Sequence, residues 1–461
     1  MGSASSPSSP AAVDTIAAIA TAVAPAQGSV AIVRLSGPLA ESIARRLFKA
    51  AGHQIWDSHR VLYGHVVDPI TAARLDEVLL LLMRAPRSFT REDVVEFHCH
   101  GGLVAVRQVL ELTLAAGARP AGPGEFSQRA FLNGRLDLTR AEAIGEMIAA
   151  RSRRAAQLAM AGLDGGLQRQ ISALRERLLD QLAELEARVD FEDDLPPLPV
   201  EAVVAELVAV RAALEQLVAE ARQGELLREG LRVAIVGRPN VGKSSLLNLL
   251  SRRERAIVTD HPGTTRDLLE SDLVLDGVPL TLLDTAGIRS TDDPVERLGI
   301  ARSREALAAA DAVVLLFDLS VGWTQEDQAL RELVPATVPL LVVGNKRDLA
   351  PERPLPLPAA DLAISALEGA GRDALVQRLL ACCGAGDLQG IQVALNGRQR
   401  QLAAEAALSL ERSLEAAAQQ LPWDFWTIDL RVAVRALGEI TGEEVSEAVL
   451  DRVFARFCIG K

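Results

Sequence analysis

The sequence predicts a multidomain protein of the α/β and α+β fold classes, in which a discontinuous all-α domain carries an inserted α/β domain. Length is the first observation, because 461 residues suggest three domains at about 150 residues each. The second is a change in character: residues 14–135 mix short apolar strands with turns, whereas residues 136–229 and 387–461 carry Ala, Leu, Glu and Arg at helical spacing. The third is that strands alternate with helices over residues 230–386, which indicates a parallel sheet.

Composition narrows the class of protein. The 49 Lys and Arg residues against 61 Asp and Glu residues give a net charge of −12, which argues against a protein that coats nucleic acid. No apolar run approaches the ~18 residues of a membrane span, and residues 1–13 read as a flexible Ser-, Pro- and Ala-rich tail, not as a secretory signal. The four cysteines show no C-x-x-C pair, so we expect reduced thiols and a cytoplasmic location.

The N-terminal domain is predicted as α+β from three apolar stretches and one helix. Residues 29–35, 77–83 and 93–100 have the pattern of strands. Residues 101–116 begin with two glycines and continue as a helix. These elements predict a compact domain that ends at residue 135.

The two helical segments on either side of the α/β domain are interpreted as one domain, and two independent helical domains are the alternative. Residues 193–199 interrupt the first segment with three prolines. Gln223-Gly224 and the glycines between residues 384 and 390 are the expected hinges to the inserted domain.

Residues 237–244, GRPNVGKS, form the strongest functional motif. They match G-x-x-x-x-G-K-S between a predicted strand and a helix that continues from Ser245. Glycine lets backbone N–H groups turn toward phosphate oxygens at the positive end of the helix dipole. In such loops the lysine, here Lys243, reaches the β and γ phosphates, and the serine, here Ser244, ligates Mg²⁺. The motif predicts a nucleotide-binding domain.

Three later motifs each follow a predicted strand and favour GTP. The aspartate of residues 284–287 (DTAG) can hold Mg²⁺ through water, and the Gly287 N–H can contact the γ-phosphate. In residues 345–348 (NKRD), the Asp348 carboxylate can accept hydrogen bonds from guanine N1–H and N2–H₂, a donor pair that adenine lacks. Ser365-Ala366 offers a backbone contact to guanine O6. Four motifs in order predict a GTPase.

The sequence lacks two groups that accelerate hydrolysis in Ras-type enzymes. Ile288 stands where those enzymes place the glutamine that orients the attacking water, and no arginine finger in the same chain is recognisable. The acidic residues 292–296 are the candidate water-positioning group, with solvated surface charge as the competing interpretation. In the polar loop of residues 259–267, a threonine can complete Mg²⁺ coordination when the γ-phosphate is bound; a plain surface loop is the alternative.

These motifs, together with both ends of the chain, resemble the tRNA-modification GTPase family MnmE, also called TrmE. The segments that carry the resemblance are residues 237–245 (GRPNVGKSS), 263–267 (GTTRD), 284–289 (DTAGIR), 457–461 (FCIGK), 123–134, 136–143 and 227–230. Many GTPases share the phosphate loop, whereas the C-terminal CIGK and the N-terminal block are far more specific. The resemblance extends over nearly the whole chain.

The resemblance implies a homodimer joined through a folate-binding N-terminal domain, with a Ras-like P-loop GTPase domain inserted in the helical domain. With the flavoprotein MnmG, in a heterotetramer, such proteins add an aminomethyl or carboxymethylaminomethyl group to C5 of the wobble uridine of certain tRNAs. The one-carbon unit comes from 5-formyl-tetrahydrofolate or a related tetrahydrofolate. GTP is hydrolysed when two G domains pair face to face around K⁺.

The resemblance also supplies the missing positive charge. Asn240 matches a K⁺-ligating asparagine of the family, and Thr259, His261 and Thr264 match further ligands in its K-loop. A K⁺ there would lie where a guanidinium otherwise neutralises the charge that develops between the β and γ phosphates. His261 stands at an ordinarily aliphatic position, but a main-chain carbonyl ligand tolerates that change.

Other G-domain positions carry over in the same way. Ser244 and Thr265 are the implied Mg²⁺ ligands, Glu296 is the glutamate that orients water, and Arg289 steadies its loop. The predicted GTP contacts are Asn240, Val241, Gly242, Lys243, Ser244, Ser245, Thr259, Asp260, His261, Pro262, Gly263, Thr264, Thr265, Asp284, Thr285, Ala286, Gly287, Asn345, Lys346, Asp348, Ser365, Ala366 and Leu367.

The implied folate contacts are Arg34, Glu96, Arg135 and Lys461. Arg135 stands where some relatives carry Lys, which keeps the charge but changes the geometry. Without the resemblance, Arg34 reads as a strand-end surface charge and Glu96 as a sheet-edge residue. Cys458 is the implied catalytic thiol near the modification centre, with a buried small hydrophobic residue as the alternative.

The segment from Arg151 to Arg177 is locally basic in an acidic protein. It can contact tRNA phosphates, but a solvated helix face is the favoured interpretation. A regulatory GTPase of ribosome assembly, without modification chemistry, is the alternative function. Such proteins share the phosphate loop and K⁺ dependence, yet they usually carry an RNA-binding domain such as KH, which is not evident here.

Overall fold

The computed structural model describes residues 14–24, 28–191, 196–251, 270–284, 307–350, 360–385 and 394–461. These residues form two compact units. The first comprises the described residues up to Gly145 together with Thr441–Lys461, and the second comprises Glu146–Ile440. The domain boundaries drawn from the sequence stay predictions.

Elements are numbered in chain order over the described residues. The strands are β1 (Ile16–Ile19), β2 (Val30–Ser36), β3 (Phe48–Ala50), β4 (Arg60–Val67), β5 (Arg74–Met83), β6 (Val94–His100), β7 (Arg119–Pro120), β8 (Leu231–Val236), β9 (Glu270–Leu275), β10 (Val278–Asp284), β11 (Ala312–Asp318), β12 (Leu340–Asn345) and β13 (Leu362–Ala363). The helices are α1 (Ala40–Leu47), α2 (Leu103–Ala115), α3 (Glu125–Leu132), α4 (Leu138–Ala149), α5 (Arg153–Leu163), α6 (Gly166–Phe191), α7 (Val200–Glu229), α8 (Lys243–Ser251), α9 (Gln325–Glu332), α10 (Arg372–Cys382), α11 (Gly397–Ala418), α12 (Trp423–Thr441) and α13 (Glu447–Phe454).

A seven-stranded sheet of order β3-β4-β5-β6-β2-β1-β7 forms the centre of the first unit. Its strands pair antiparallel except β1 with β7. Directly opposed residues of an antiparallel pair share a face, and the opposed residues Val33, Phe97, Leu80 and Leu62 are all buried. Helices α1 and α2 contribute to the same core. The predicted strands and helix are confirmed as β2, β5, β6 and α2.

The C-terminal residues belong to the same unit as this sheet. Leu450 and Phe454 of α13 form a small core with Leu138 and Ala141 of α4. The Phe454 ring also lies 6.5 Å from the ring of Phe131 in α3. This packing carries the chain end back to the N-terminal domain.

The second unit contains the helical domain. Its core draws on α6 and α7 before the α/β insertion and on α11 and α12 after it, with Leu178, Leu207, Leu410 and Trp426 among the buried residues. Both flanking segments therefore pack into one core, which confirms the discontinuous all-α domain. Among the residues described, no helix is both long and apolar enough to span a membrane.

The expected hinge at Gln223-Gly224 is wrong. Helix α7 runs without interruption from Val200 to Glu229. Gly224 lies inside this helix. A larger residue would not fit there, because a Cβ at that position would come within 2.1 Å of the Ala394 Cβ. The glycine thus permits close packing of the chain that returns from the α/β domain, and it does not break the helix.

The α/β domain contains a six-stranded sheet of order β13-β12-β11-β8-β10-β9. All neighbours are parallel except β9, which pairs antiparallel with β10 at the edge. Every residue of β11 is buried, as expected for a central parallel strand. In open sheets of this kind ligands bind beyond the carboxyl ends of the strands. The phosphate loop follows one of those ends.

Candidate functional site

The phosphate loop, residues 237–242, connects β8 to α8. Asn240 and Gly242 adopt left-handed backbone conformations, with φ of +61° and +100°. At Gly242 a Cβ would lie 2.3 Å from Asn345 Nδ2, so both the φ value and the space require glycine. A loop curled in this way can direct successive N–H groups into one concavity, which suits an anion.

Lys243 begins α8 and extends its side chain over the loop. Its Nζ donates hydrogen bonds to the carbonyl oxygens of Gly237 at 2.7 Å and Arg238 at 3.0 Å. Ser244 and Ser245 are exposed in the first turn of α8, where the helix dipole favours negative charge. The ammonium group and the helix N-terminus therefore place positive potential at one point.

Arg238 anchors the outer part of the loop and was not predicted as a site residue. Its Nε donates to Asp327 Oδ1 at 2.8 Å, and Asp327 is fully buried. Asp327 also closes a capping box with Thr324 at the start of α9. The T-x-x-D spacing before a helix was the available signal, although nothing in it identifies Arg238 as the partner.

Asn345 connects the phosphate loop to the segments predicted to bind the base. Its Nδ2 donates to the Val241 carbonyl at 2.8 Å, and its Oδ1 accepts from the Ala366 N–H at 2.9 Å. The residue is 2% exposed. One buried amide therefore fixes three sequence motifs relative to one another, and a buried polar group with both bonds made is costly to lose.

Two further side chains at the carboxyl ends of the parallel strands, those of Lys346 and Asp348, are held by an ion pair or a hydrogen bond. Lys346, with φ of +64°, places Nζ 2.7 Å from Asp318 Oδ2. Burial raises the pKa of Asp318, but hydrogen bonds from Lys346 and Ser320 outweigh it and hold that pKa below its ordinary value. The Asp348 carboxylate accepts a hydrogen bond from Ser365 Oγ at 2.6 Å. The predicted residue Leu367 is exposed beside them.

Part of the predicted GTP site lies outside the described residues. This part comprises Thr259, Asp260, His261, Pro262, Gly263, Thr264, Thr265, Thr285, Ala286, Gly287, Arg289 and Glu296. Asp284 is the last residue of β10 and pairs in register with Ile235 of β8. Its backbone therefore lies beside the strand that enters the phosphate loop.

A second polar site lies on the face of the seven-stranded sheet away from α1 and α2. Arg34 on β2 and Glu96 on β6 are directly opposed, and Arg34 Nε lies 2.7 Å from Glu96 Oε1. His98 Nε2 lies 3.2 Å from the other oxygen of Glu96. Both partners of Glu96 are partly exposed, with side-chain exposures of 20% for Arg34 and 30% for His98. His98 was not predicted as part of this site, although its two-residue spacing from Glu96 on one strand places both side chains on the same face.

The C-terminal motif meets this site within the first unit. Arg34 Nη1 donates to the Gly460 carbonyl at 3.3 Å, and Phe126 N–H donates to the Lys461 carbonyl at 3.1 Å. Gly460 has φ of +94°, and a Cβ there would lie 2.7 Å from the Ile19 carbonyl oxygen. The arrangement leaves Cys458 exposed, so it is not the buried hydrophobic residue of the alternative interpretation.

Arg135 is the predicted folate contact that the structure does not join to Arg34 and Glu96 by a described hydrogen bond. Its Nη1 donates to the Ser88 carbonyl at 2.9 Å, and its guanidinium carbon lies 5.5 Å from the centre of the Phe89 ring. Lys461 is half-buried at the chain end. Arg34, Glu96 and the terminal residues thus form the defined part of this site.

The basic segment from Arg151 to Arg177 makes contacts within the second unit. Arg151 hydrogen-bonds the Glu229 carbonyl, and its Nη1 lies 3.6 Å from Asp272. Arg177 lies 2.5 Å from Glu206. The arginine at each end of the segment therefore has a carboxylate of the same chain within ion-pair distance.

The similarity of this chain to known proteins covers both the nucleotide site and the N-terminal polar site. The chain matches the family description "MnmE helical domain" over residues 138–458 and "GTP-binding protein TrmE N-terminus" over residues 15–135. It is 69% identical over 449 residues to the "tRNA modification GTPase MnmE" of Synechococcus sp. (strain CC9605), covering 97% of this chain and 99% of that protein. It is 70% identical to the protein of the same name from Synechococcus sp. (strain RCC307), covering 97% of this chain and 98% of that protein.

Among solved structures, Aquifex aeolicus Era bound to GDP.AlF4- is 27% identical over 39% of this chain and 66% of that chain, with a TM-score of 0.28. A TM-score that low adds nothing to the assignment, which depends on the full-length relatives.

Proposed function

Because the chain belongs to the MnmE family of tRNA modification GTPases, we propose that it couples GTP hydrolysis to modification of the wobble uridine of certain tRNAs. The added group is aminomethyl or carboxymethylaminomethyl, at C5 of the base. The single observation that supports the GTP half of the proposal most strongly is Asn345, whose two hydrogen bonds connect the phosphate loop to the segments predicted to bind the base.

In the nucleotide site, each side chain has a chemical task that suits GTP. Lys243 and the first turn of α8 neutralise the phosphates. Asp348, already oriented by the Ser365 hydroxyl, accepts the guanine N1–H and N2–H₂ donors. An adenine would leave that carboxylate without its partners, and such mismatches discriminate strongly between substrates.

Two metal ions belong to the proposal. The exposed Ser244 hydroxyl at the helix N-terminus suits Mg²⁺, with Thr265 as the second protein ligand, and this ion would neutralise phosphate charge. The exposed Asn240, in its left-handed conformation, suits K⁺ together with Thr259, His261 and Thr264. K⁺ would supply the charge that an arginine finger provides elsewhere. Glu296 is proposed to orient the attacking water and Arg289 to steady its loop.

The N-terminal polar site is proposed to bind a tetrahydrofolate one-carbon donor such as 5-formyl-tetrahydrofolate. A carboxylate such as Glu96 pairs with the N–H donors of a pterin, and Arg34 or Arg135 suits folate carboxylate or formyl oxygens. The bond from Arg34 to the Gly460 carbonyl supports a role for the adjacent Cys458 and Lys461 in the same chemistry.

The homodimer is proposed to form on the same sheet face. The strand registers place three apolar residues of β4 and β5 on the sheet face that carries Arg34. They are exposed: Val61 by 59%, Tyr63 by 46% and Leu79 by 45%. Contiguous exposed apolar side chains beside a polar site are typical of an interface. MnmG and tRNA complete the proposed assembly, in the cytoplasm.

Mass analysis of wobble nucleosides tests the tRNA half of the proposal. A strain that lacks this protein is expected to lose the C5-modified uridine, and the wild-type chain is expected to restore it. Lys243→Ala is the matched variant, because it removes the phosphate ligand but leaves the N-terminal site untouched. Unchanged nucleosides in the deletion strain would contradict the proposal.

The ion dependence tests the hydrolytic half. GTP hydrolysis is expected to be markedly faster in K⁺ than in Na⁺, and equal rates would remove the K⁺ assignment. Glu296→Ala is expected to keep GTP affinity while most of the hydrolysis rate is lost. A variant that hydrolyses at the wild-type rate would contradict the role proposed for Glu296.

A further inference from the structure

Helix α10 ends in two adjacent cysteines that belong to neither of the sites described above. Cys382 is the last residue of the helix and Cys383 is its C-cap, with φ of −93° and ψ of 3°. Side chains of successive residues within a helix diverge by about 100°. At this helix end, however, the two Sγ atoms lie 3.9 Å apart. The pair therefore presents two sulfur atoms at one place.

The two thiols differ in their surroundings. Cys382 is exposed, and its Sγ–H donates to the Leu379 carbonyl at 3.1 Å. Cys383 is half-buried and packs against the core of the six-stranded sheet. Its Sγ lies 3.9 Å from the Asp311 carbonyl oxygen. One sulfur is thus held by the domain core while the other is accessible from solvent.

The hydrogen bond between the two thiols favours ionisation of the exposed one. It holds the pKa of Cys382 below its ordinary value, and together with burial it raises the pKa of Cys383. A thiolate is the nucleophilic form of cysteine, so Cys382 is the group that reacts first.

We propose that Cys382 and Cys383 form a vicinal dithiol site that binds trivalent arsenicals. Two sulfur atoms bound at about 2.3 Å to one centre, with an angle near 100–110°, lie roughly 3.5–3.8 Å apart. The observed separation of 3.9 Å is close to that range. Because trivalent arsenic carries its third substituent with it, two thiols of the protein complete its coordination.

Other occupants fit this geometry less well. A linear two-coordinate ion with bonds of about 2.3 Å needs sulfur atoms ~4.6 Å apart. A zinc site needs more protein ligands, and no cluster of three or more His, Cys, Asp or Glu occurs in the part of the chain that the structure describes. A disulfide is disfavoured, because neighbouring Cα atoms are about 3.8 Å apart and disulfides usually join Cα atoms roughly 4.4–6.8 Å apart.

The reaction balances without an oxidant. An organic arsenic oxide, R–As=O, reacts with the two S–H groups, and two As–S bonds form as the As=O bond breaks. The oxide oxygen leaves as water with the two thiol protons, and arsenic stays trivalent. Because the second As–S bond forms within one molecule, the chelate is expected to resist monothiols by at least 100-fold relative to a singly bound arsenical.

Phenylarsine oxide and the full-length chain test the site. Wild-type protein is expected to bind one equivalent and to lose two titratable thiols, with release by 2,3-dimercaptopropanol but not by an equal concentration of glutathione. Cys382→Ser and Cys383→Ser are each expected to abolish this retention. Cys458→Ser is the matched control, since it removes an exposed thiol elsewhere and is expected to keep one equivalent bound.

Cooperative thermal unfolding of each variant checks that it is folded. If Cys383→Ser, which alters a half-buried position, does not fold, the exposed Cys382→Ser decides the outcome. Absence of stoichiometric binding to the wild type, retention by folded Cys382→Ser, or loss in folded Cys458→Ser would each overturn the proposal.

Discussion

The phosphate loop and the N-terminal polar site are built from contacts that span very different distances along the sequence. In the phosphate loop, Lys243 bonds to Gly237 and Arg238, only six and five residues away. In the polar site, Arg34 bonds to Glu96, which is 62 residues away, and to Gly460, which is 426 residues away. A local motif determines the phosphate loop, whereas the polar site is completed only when the chain end returns to the N-terminal sheet.

Because of this difference, substitutions at the two sites are expected to act in different ways. A change in the phosphate loop damages the nucleotide site directly, because the loop backbone is itself the binding surface. A change at the polar site acts by displacing a distant segment, so partial function is expected to remain. Asn345 is intermediate, because it bonds to Val241 over 104 residues but to Ala366 over only 21.

Gly242→Ala is expected to have the largest effect. A left-handed alanine costs about 1–2 kcal/mol, and its Cβ would lie 2.3 Å from Asn345 Nδ2. Displacing that amide from its bond to Val241 costs a further ~1–3 kcal/mol. GTP affinity, measured by calorimetric titration, is expected to fall at least 100-fold, which is about 2.7 kcal/mol.

Gly384→Ala is the control for backbone strain. Gly384 has φ of +80°, but a Cβ there would meet no heavy atom within 4 Å. This variant is expected to lose some stability while its GTP affinity stays within about twofold of the wild type. Equal losses of affinity in the two variants would mean that the contact with Asn345 is not what makes Gly242 necessary.

Asn345→Ala is expected to weaken GTP binding about 10–100-fold, since it leaves the buried Val241 carbonyl and Ala366 N–H without their partner. Asn345→Asp separates the two bonds, because it keeps the acceptor for Ala366 and loses the donor to Val241. Titration of both variants with GTP shows whether the bond to Val241 or the bond to Ala366 contributes more to GTP affinity. If neither variant loses more than twofold, Asn345 does not connect the two halves of the site.

Gly460→Ala is expected to reduce wobble-uridine modification about tenfold and to leave GTP hydrolysis unchanged. The alanine would be strained at φ of +94°, and its Cβ would lie 2.7 Å from the Ile19 carbonyl. The C-terminal motif would therefore shift away from Arg34. Gly52→Ala has a comparable φ of +72° without a neighbour within 4 Å, and is expected to modify tRNA normally.

The same contrast explains what the sequence could reveal. Strand, loop and helix around residues 237–244 follow from one continuous pattern, so β8, the loop and α8 were predictable in place. The ion pair of Arg238 with Asp327 was not, because 89 residues separate the partners and neither residue type specifies the other. Gly224 was misjudged for a related reason: its role depends on Ala394, which lies beyond the whole α/β insertion.

Glu41 offers the most direct test of local against distant contacts, with the smallest expected effect. It accepts hydrogen bonds from Arg84, 43 residues away, and from Arg45, one helical turn away. The bond from Arg84 is the larger cause that lowers the pKa of Glu41 to about 2. A lowered pKa stabilises the folded state above the unfolded value near 4.5, and this stabilisation is lost as the pH falls through about 2.

Because both arginines are partly exposed, the ion pairs of Glu41 with Arg84 and Arg45 together contribute only about 1 kcal/mol to the stability of the folded state. Glu41→Gln is therefore expected to increase hydrogen exchange of the α1 amides about fivefold at pH 7, with the difference from wild type shrinking toward pH 2. Arg84→Gln is expected to reproduce most of that effect and Arg45→Gln less of it. The reverse order would mean that the local pair, not the distant one, holds α1 in place.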